Sequence, residues 1–199
     1  MNIQHTPNGI LLTNKALSEL DIFVLDFLKI LEAYTDYVIV SGYVTILFGR
    51  ARGTEDIDTI IEKMDRKTFE RFFNDLTERN YWFLNSDDRN DLFDMLNENL
   101  AVRIAKSNEI IPNIELKFAK DYFDNFSIRN SIKVWIDDHK IKISPIELQI
   151  AYKLYLSGDK DIEDAIYLYE IFKDRINKKT LKNFLEEFDA DATKYGIEI

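Results

Sequence analysis

The stretch VIVSGYVTILFGRARGTEDIDTII, residues 38–61, decides how this chain folds. The run Tyr37-Val-Ile-Val40 is short and β-branched, which is typical of a buried strand, and Ser41-Gly42 ends it. A short helix is predicted next, followed by the polar loop Arg50-Ala-Arg-Gly-Thr54. The segment Asp56-Ile-Asp-Thr-Ile-Ile61 then predicts a second strand.

Periodicity leaves two interpretations of residues 56–61 open. In a strand, residues two apart project from the same face, so Asp56 and Asp58 would point into one space. Two carboxylates that close repel each other unless a cation lies between them, and hard divalent ions such as Mg²⁺ prefer oxygen ligands. In a helix, Thr54 would be the N-cap and the isoleucines after it would form one apolar face.

The composition limits the chemistry that this chain can perform. Its 199 residues, of which 46% are hydrophobic, can fill a substantial core. It has no cysteine, which excludes disulfides and thiolate metal sites, and its two histidines, His5 and His139, lack the paired spacing of a zinc enzyme. The net charge of −10 argues against broad binding to nucleic acid, because phosphate contact needs a basic surface.

The first residues have no basic segment followed by an apolar one, and no apolar run is long enough to span a membrane. We therefore expect a cytoplasmic protein without a membrane partner.

The remaining pattern predicts an α+β (mixed α/β) protein. A sheet domain over residues 1–143 is expected to precede a helical part, residues 144–199, packed on it. The predicted helices are residues 14–34, 66–79, 88–97, 121–129, 159–174 and 180–188, and the predicted further strands are residues 81–84, 100–106, 113–118, 131–136 and 140–143.

The segment Ser144-Pro-Ile-Glu147 carries the signals of a helix start. Ser144 suits the N-cap, Pro145 the first helical position and Glu147 the third residue after the cap. A helix beginning at Pro145 and capped by Ser144 is therefore predicted.

Two segments resemble a known family. Residues 38–61 look like the signature of the nucleotidyltransferase superfamily, the DNA polymerase β-like fold: a strand, a glycine turn that opens a short helix, and a strand bearing Asp-x-Asp. The form R-x-T-x-D-I-D, Arg52 to Asp58, is similar to small bacterial and archaeal members of the abortive-infection and toxin–antitoxin type. The later segment SPIELQIAYKLYLSGDKDIEDAIYLYEIF, Ser144 to Phe172, also resembles their C-terminal part.

The resemblance implies roles for individual residues. Asp56 and Asp58 match the metal-binding carboxylates, and Glu115 on the predicted strand 113–118 is the best match for a third; its alternative role is the solvent side of an alternating strand. Contacts with a nucleotide are implied for Ser41, Gly42, Arg50, Arg52, Thr54 and Lys153. The family usually has Gly-Gly or Gly-Ser where this chain has Ser41-Gly42.

The sequence leaves a second interpretation open for the charged residues of these two segments. Arg50 and Arg52 suit either a triphosphate or a solvated loop, and Asp161 and Asp164 are more simply exposed helix charges. The tyrosines of the C-terminal helices, Tyr152 among them, are expected in the core rather than in base stacking.

The leading hypothesis is therefore a nucleotidyltransferase dependent on Mg (or Mn). It would move a nucleoside monophosphate from a nucleoside triphosphate to an acceptor hydroxyl of a small molecule, RNA or protein, and release pyrophosphate. One alternative is a catalytically degenerate nucleotide-binding module or the partner of a cognate antitoxin. Another is a metal-dependent phosphohydrolase with water as acceptor. A shared fold does not separate them.

Overall fold

A computed structural model describes residues 1–198 of the chain. Within them the strands are β1 (Asn2–Thr6), β2 (Gly9–Thr13), β3 (Tyr37–Ile39), β4 (Asp56–Ile61), β5 (Tyr81–Phe83), β6 (Val102–Lys106), β7 (Asn113–Phe118), β8 (Ile132–Ile136) and β9 (His139–Ile143). The helices are α1 (Glu19–Leu31), α2 (Gly42–Leu47), α3 (Arg66–Glu78), α4 (Arg89–Asn97), α5 (Tyr122–Arg129), α6 (Ile146–Leu156), α7 (Asp159–Phe172) and α8 (Lys178–Glu187).

The nine strands form one mixed sheet in the order β1-β2-β8-β9-β3-β4-β7-β6-β5. Strand β4 lies near its middle, antiparallel to β3 and parallel to β7. The α+β class that the sequence predicts is therefore confirmed.

Residues 56–61 form a strand, which confirms the first of the two interpretations. Both edges of β4 are occupied by partner strands, so its backbone groups are hydrogen-bonded between strands rather than within a helical turn. Its side chains alternate between buried and half-buried positions. Ile57 and Ile61 enter the main core, and Asp56 and Asp58 project from the opposite face.

The hairpin of β1 and β2 was not predicted. Its turn, Thr6-Pro-Asn-Gly9, has the proline and glycine that favour a reversal, and Gly9 has φ +131°. A Cβ on Gly9 would lie 2.1 Å from the carbonyl oxygen of Lys133, so only glycine fits where β2 meets β8. The first helix accordingly begins at Glu19, later than predicted, where Ser18 and Asp21 form a capping box.

The prediction that Ser144 caps α6 is wrong. The backbone N–H of Ser144 donates to the carbonyl of Ile39, which extends the pairing of β9 with β3 by one residue. Its hydroxyl lies 3.0 Å from that of Ser127 in a buried pair. Pro145 takes the cap position without a side-chain bond, and Glu147 accepts from the backbone N–H of Asn177 instead. The contacts of Ser144 with Ile39 and Ser127 therefore replace the helix cap that the local sequence predicts.

Ser144→Ala is expected to lower the free energy of unfolding by about 1–2 kcal/mol, because the Ser127 hydroxyl loses its buried partner. Denaturant unfolding measures this loss. Adding Ser127→Ala to the variant should cost less than Ser127→Ala alone, since both members of the pair are then absent. Additive losses in the double variant would contradict the pairing.

The C-terminal helices α6, α7 and α8 share the main hydrophobic core with the sheet. A second, small cluster of Val38, Ala119 and Ile128 lies on the other face of the sheet, against Val40 and Ile60. None of the helices within residues 1–198 is both long and apolar enough to cross a membrane.

Candidate active site

The turn between β3 and α2 places backbone next to β4. Ser41 has φ 63° and ψ −138°, a conformation that favours glycine. Gly42 follows it and is buried. A Cβ on Gly42 would lie 3.0 Å from the guanidinium of Arg52, so the missing side chain makes room for this arginine.

Ser41→Gly is expected to raise the free energy of unfolding by about 1 kcal/mol. The strain at a non-glycine residue in this region costs about 1–3 kcal/mol, and glycine's larger unfolded-state entropy offsets part of the gain. Ser131→Gly is the matched control, because Ser131 has no positive φ and should lose stability on the same change. Equal effects of the two variants, measured by thermal unfolding, would argue against strain at Ser41.

Two neighbouring strands bring the three predicted carboxylates to the same face of the sheet. Asp58 on β4 is the register partner of Glu115 on β7, and Asp56 is the partner of Asn113. Glu115 and Lys117 are half-buried, whereas the residues between and beside them on β7 are buried. The predicted alternation of β7 is thus confirmed. The Thr54 hydroxyl donates to the backbone carbonyl of Asp56 at 2.9 Å and lies 3.3 Å from its carboxylate.

Lys117 is the immediate counter-charge of these acids. Its Nζ lies 2.6 Å from a carboxylate oxygen of Glu115 and 3.4 Å from one of Asp58. Arg103 adds a longer contact of 3.5 Å to Glu115. Sequence reasoning missed Lys117, although alternation along β7 puts it on the face of Glu115.

The pKa values of Asp58 and Lys117 are both raised in this cluster. Burial raises the pKa of the Asp58 carboxyl above its ordinary value, and the carboxylates of Glu115 and Asp56 add to the rise against the opposing ammonium of Lys117. Burial lowers the pKa of Lys117, but the two acids it contacts outweigh burial and hold that pKa above its ordinary value. Burial is thus the main cause of the raised pKa of Asp58, and the two neighbouring carboxylates oppose the stabilising effect of Lys117.

The donor set fits a hard divalent cation, since it consists of carboxylates with an excess of negative charge. The conformation is nevertheless one in which Lys117 occupies the space between Asp58 and Glu115. Within residues 1–198, no three His, Cys, Asp or Glu side chains converge closely enough to hold an ion together. Lys117, whose side chain is 38% exposed, would have to withdraw to let them do so.

A buried ion network lies beside the Ser41-Gly42 turn. Asp164 of α7 is fully buried and pairs with Arg50 and Arg52 from the loop before β4. It also accepts from Lys153 of α6, whose Nζ is 2.7 Å from one of its carboxylate oxygens. Lys153 is 1% exposed and reaches Asp161 at 3.1 Å, and burial lowers its pKa below the ordinary value. Three cations from two segments thus share the buried carboxylate of Asp164.

This network corrects one expectation and decides one open alternative. Asp164 is not an exposed helix charge. Arg50 and Arg52, for which the sequence allows a solvated loop as one of two interpretations, are half-buried and ion-paired. The reason is that a guanidinium pair from a distant loop compensates the carboxylate at a range of more than 100 residues, which no local pattern encodes.

A cavity of about 540 Å³ opens next to the acids. It lies between the face of β4 and β7 that bears Asp58 and the helices α5 and α6. Its polar lining includes Ser41, Asp58, Lys117 and Gln149, and Tyr152 stands at its wall. Tyr152 is 45% exposed, so the expectation that it belongs to the core is wrong.

Comparison with known proteins identifies the fold. The chain resembles an antigenic nucleotidyltransferase-like protein from Paracoccidioides brasiliensis, with a TM-score of 0.57 and 14% identity over 89% of this chain and 92% of that one. It also resembles the antibiotic-resistance factor ANT(2'')-Ia in a solution structure, with a TM-score of 0.53 and 13% identity over 90% and 95% of the two chains. The likeness to a crystal structure of ANT(2'')-Ia in complex with adenylyl-2''-tobramycin has a TM-score of 0.52 and 14% identity. It covers 88% of this chain and 97% of that one. No protein-family model and no curated protein sequence matches the chain.

These likenesses run through almost the whole of each chain. The predicted fold is therefore confirmed: the chain has the nucleotidyltransferase fold. At 13–14% identity, the roles of individual residues have to be argued from the site itself.

Proposed function

We propose that this protein transfers a nucleoside monophosphate from a nucleoside triphosphate to an acceptor hydroxyl and releases pyrophosphate. One observation carries the proposal: within this fold, Asp56, Asp58 and Glu115 share one face of two paired strands, directly beside the Ser41-Gly42 turn. The transferred phosphorus would lie between that turn and the acids.

The basic residues at the turn would bind the triphosphate. Arg52 lies against Gly42, and Lys153 is close enough to Asp58 for that carboxylate to affect its pKa. Guanidinium groups match phosphate oxygens with paired hydrogen bonds, and a buried ammonium supplies a fixed point charge. Because Asp164 already orients Arg50, Arg52 and Lys153, little ordering cost would remain when a triphosphate binds.

The acids would hold the metal and the acceptor. Asp56, Asp58 and Glu115 are the residues that would bind Mg²⁺ or Mn²⁺, which would neutralise charge on the phosphates and polarise the acceptor oxygen. Thr54 fixes the position of Asp56 through its backbone and side chain. Lys117 would leave Asp58 when the site is loaded.

Titration calorimetry with ATP, GTP, CTP and UTP tests binding. We expect heat for at least one nucleotide in Mg²⁺ and little or none in chelator, together with pyrophosphate release once an acceptor is present. Equal binding with and without metal would contradict the assigned role of the acids.

A second candidate is a nucleotide-binding module without turnover. The contact of Lys117 with both Glu115 and Asp58 favours it, because a resident ammonium could replace the metal. Tight, metal-independent nucleotide binding without pyrophosphate release across a broad acceptor screen would select this candidate. Lys117→Met should then weaken nucleotide binding, whereas in a transferase it should leave metal-dependent binding in place.

A further inference from the structure

The cavity beside Asp58 is separate from the basic side of the site. Ser41 and Asp58 line it, but Gly42, Arg50, Arg52 and Lys153 are not among the residues of the described chain that do. A triphosphate held by those basic residues would therefore leave the cavity free. Its volume of about 540 Å³ is in the range of small-molecule pockets, roughly 300–1,000 Å³.

Gln149 presents an unused hydrogen-bond donor to this cavity. The residue is 4% exposed, and its carboxamide oxygen accepts the backbone N–H of Ser41 at 3.2 Å. Because a backbone N–H can only donate, the atom facing Ser41 must be the oxygen, and the NH₂ group points elsewhere. Within residues 1–198 this NH₂ group has no acceptor, and it is not among the fully buried polar atoms that lack a partner, so it is open to the cavity that Gln149 lines.

A buried pair of hydroxyls adds a second donor. Ser127 and Ser144 both line the cavity, are 3% and 2% exposed, and lie 3.0 Å apart. One hydroxyl donates to the other, so one hydroxyl hydrogen of the pair remains to be shared with an occupant.

Acceptors lie at the start of α5, at another part of the wall. Asp121 and Asp124 each use one carboxylate oxygen for a backbone N–H within residues 1–198 and keep the other. Between the polar groups, the wall is apolar and aromatic, and it includes Phe123, Tyr152 and Leu148. Donors, acceptors and an apolar face together suit a molecule whose hydroxyls both donate and accept and whose C–H face is apolar.

The charges of the lining argue against an ionic occupant. Asp58, Asp121 and Asp124 face Lys117 and Lys120, so the lining carries charges of both signs with one excess carboxylate. A phosphate group would meet the three carboxylates, and an ammonium group would meet the two lysines.

We infer that this cavity binds an uncharged, polyhydroxylated small molecule, such as a sugar or a cyclitol, with the NH₂ group of Gln149 as a specificity-determining donor. Its identification as the acceptor of the transfer rests on the proposed function. The binding itself does not, because it requires neither nucleotide nor metal.

Gln149 allows a direct test, since the chain has only one other glutamine, Gln4, which is exposed on the edge strand β1. Protein labelled with [¹⁵N]glutamine should show two side-chain NH₂ signals. We expect glucose or myo-inositol, added in chelator, to shift the Gln149 signal and leave the Gln4 signal in place. The absence of any Gln149 shift with every neutral probe, or equal shifts of both signals, would overturn the inference.

Charged analogues and a nucleotide test the chemical class. Glucosamine and glucose 6-phosphate should each bind more weakly than glucose, and tighter binding of either would overturn the assignment to a neutral ligand. In Mg²⁺, where the proposed function expects nucleotide binding, a non-reacting ATP analogue with a methylene group between the α- and β-phosphorus atoms should not displace glucose. Displacement would mean that the cavity belongs to the nucleotide.

Gln149→Glu separates the donor from the fold. The variant keeps an oxygen for the Ser41 N–H but replaces the NH₂ group with a second acceptor, so saturation-transfer signals from protein to glucose should indicate about tenfold weaker binding or none. Unchanged binding would remove Gln149 from the site. Glucose binding without pyrophosphate release, even with ATP and Mg²⁺, would leave the pocket established and count only against the proposed transfer.

Discussion

Asp164→Asn is expected to lower the free energy of unfolding by about 3–5 kcal/mol, the loss typical when one partner of a buried ion pair is removed. Asparagine keeps the size of the side chain and an oxygen for the Thr45 hydroxyl, 3.0 Å away. It removes the negative charge that Arg50, Arg52 and Lys153 share. Arg52 is the most affected, because Asp164 is the one acid it pairs with in the described chain.

Glu163→Gln is the matched control for this change. Glu163 precedes Asp164 on α7 and also pairs with Arg50, but its side chain is 65% exposed. Exposed ion pairs contribute about 0–1 kcal/mol, so the control should unfold almost like the native protein in urea. Similar losses in both variants would mean that the network is solvated and that burial does not set its strength.

Asp58→Asn should abolish metal-dependent transfer and leave the metal-free protein as stable as before, or slightly more stable. The metal would lose one of its carboxylate ligands, and removal of one preorganised electrostatic group already costs on the order of 10²–10³-fold in rate. The expected effect on stability comes from the loss of a repulsion, not from the loss of a favourable contact. Glu115 and Asp56 remain near position 58 and repel an ionised carboxylate there, and Lys117 keeps Glu115 as its partner in the variant.

The pH dependence follows from the raised pKa of Asp58. Because the folded state holds this proton more tightly than the unfolded state, stability falls as pH rises from the ordinary aspartate range through the folded pKa. Ionised Asp58 therefore destabilises the fold at neutral pH, and Asp58→Asn should flatten this part of the stability curve.

Thermal melts in chelator and in excess Mg²⁺ test both parts of this expectation. Glu62→Gln, a neutralisation just beyond β4 at an exposed position, should retain transfer and the native response to metal. An Asp58→Asn protein that is less stable than native in chelator, yet responds equally to Mg²⁺, would contradict a metal role for Asp58.

The elements around the site could be predicted because their signals are local. Alternation identifies β7 and the facing of Glu115, and the resemblance to a nucleotidyltransferase signature favoured the strand over the helix for β4, which periodicity alone left undecided. The same alternation places Lys117 on the face of Glu115. Its contact with Asp58 could not be predicted, because that contact depends on the register between β4 and β7.

Contacts between distant segments could not be predicted. Arg50 meets Asp164 across 114 residues, and Gln149 meets Ser41 across 108. The sequence does contain one indication of Gln149, because it is a polar residue among the apolar residues of α6. Ser144 shows the converse case. Its sequence predicts a helix cap, but its backbone N–H bonds to β3 and its hydroxyl to Ser127.

The shared carboxylate of Asp164 also bears on modularity. The loop that leads into β4 carries two guanidinium groups whose counter-charge comes from α7, more than 100 residues later. A shortened chain without α7 would expose an uncompensated positive surface on the sheet and lose part of the shared core. We therefore expect the sheet and the last helices to unfold as a single cooperative unit, and strands and turns alone would not reproduce this site on another scaffold.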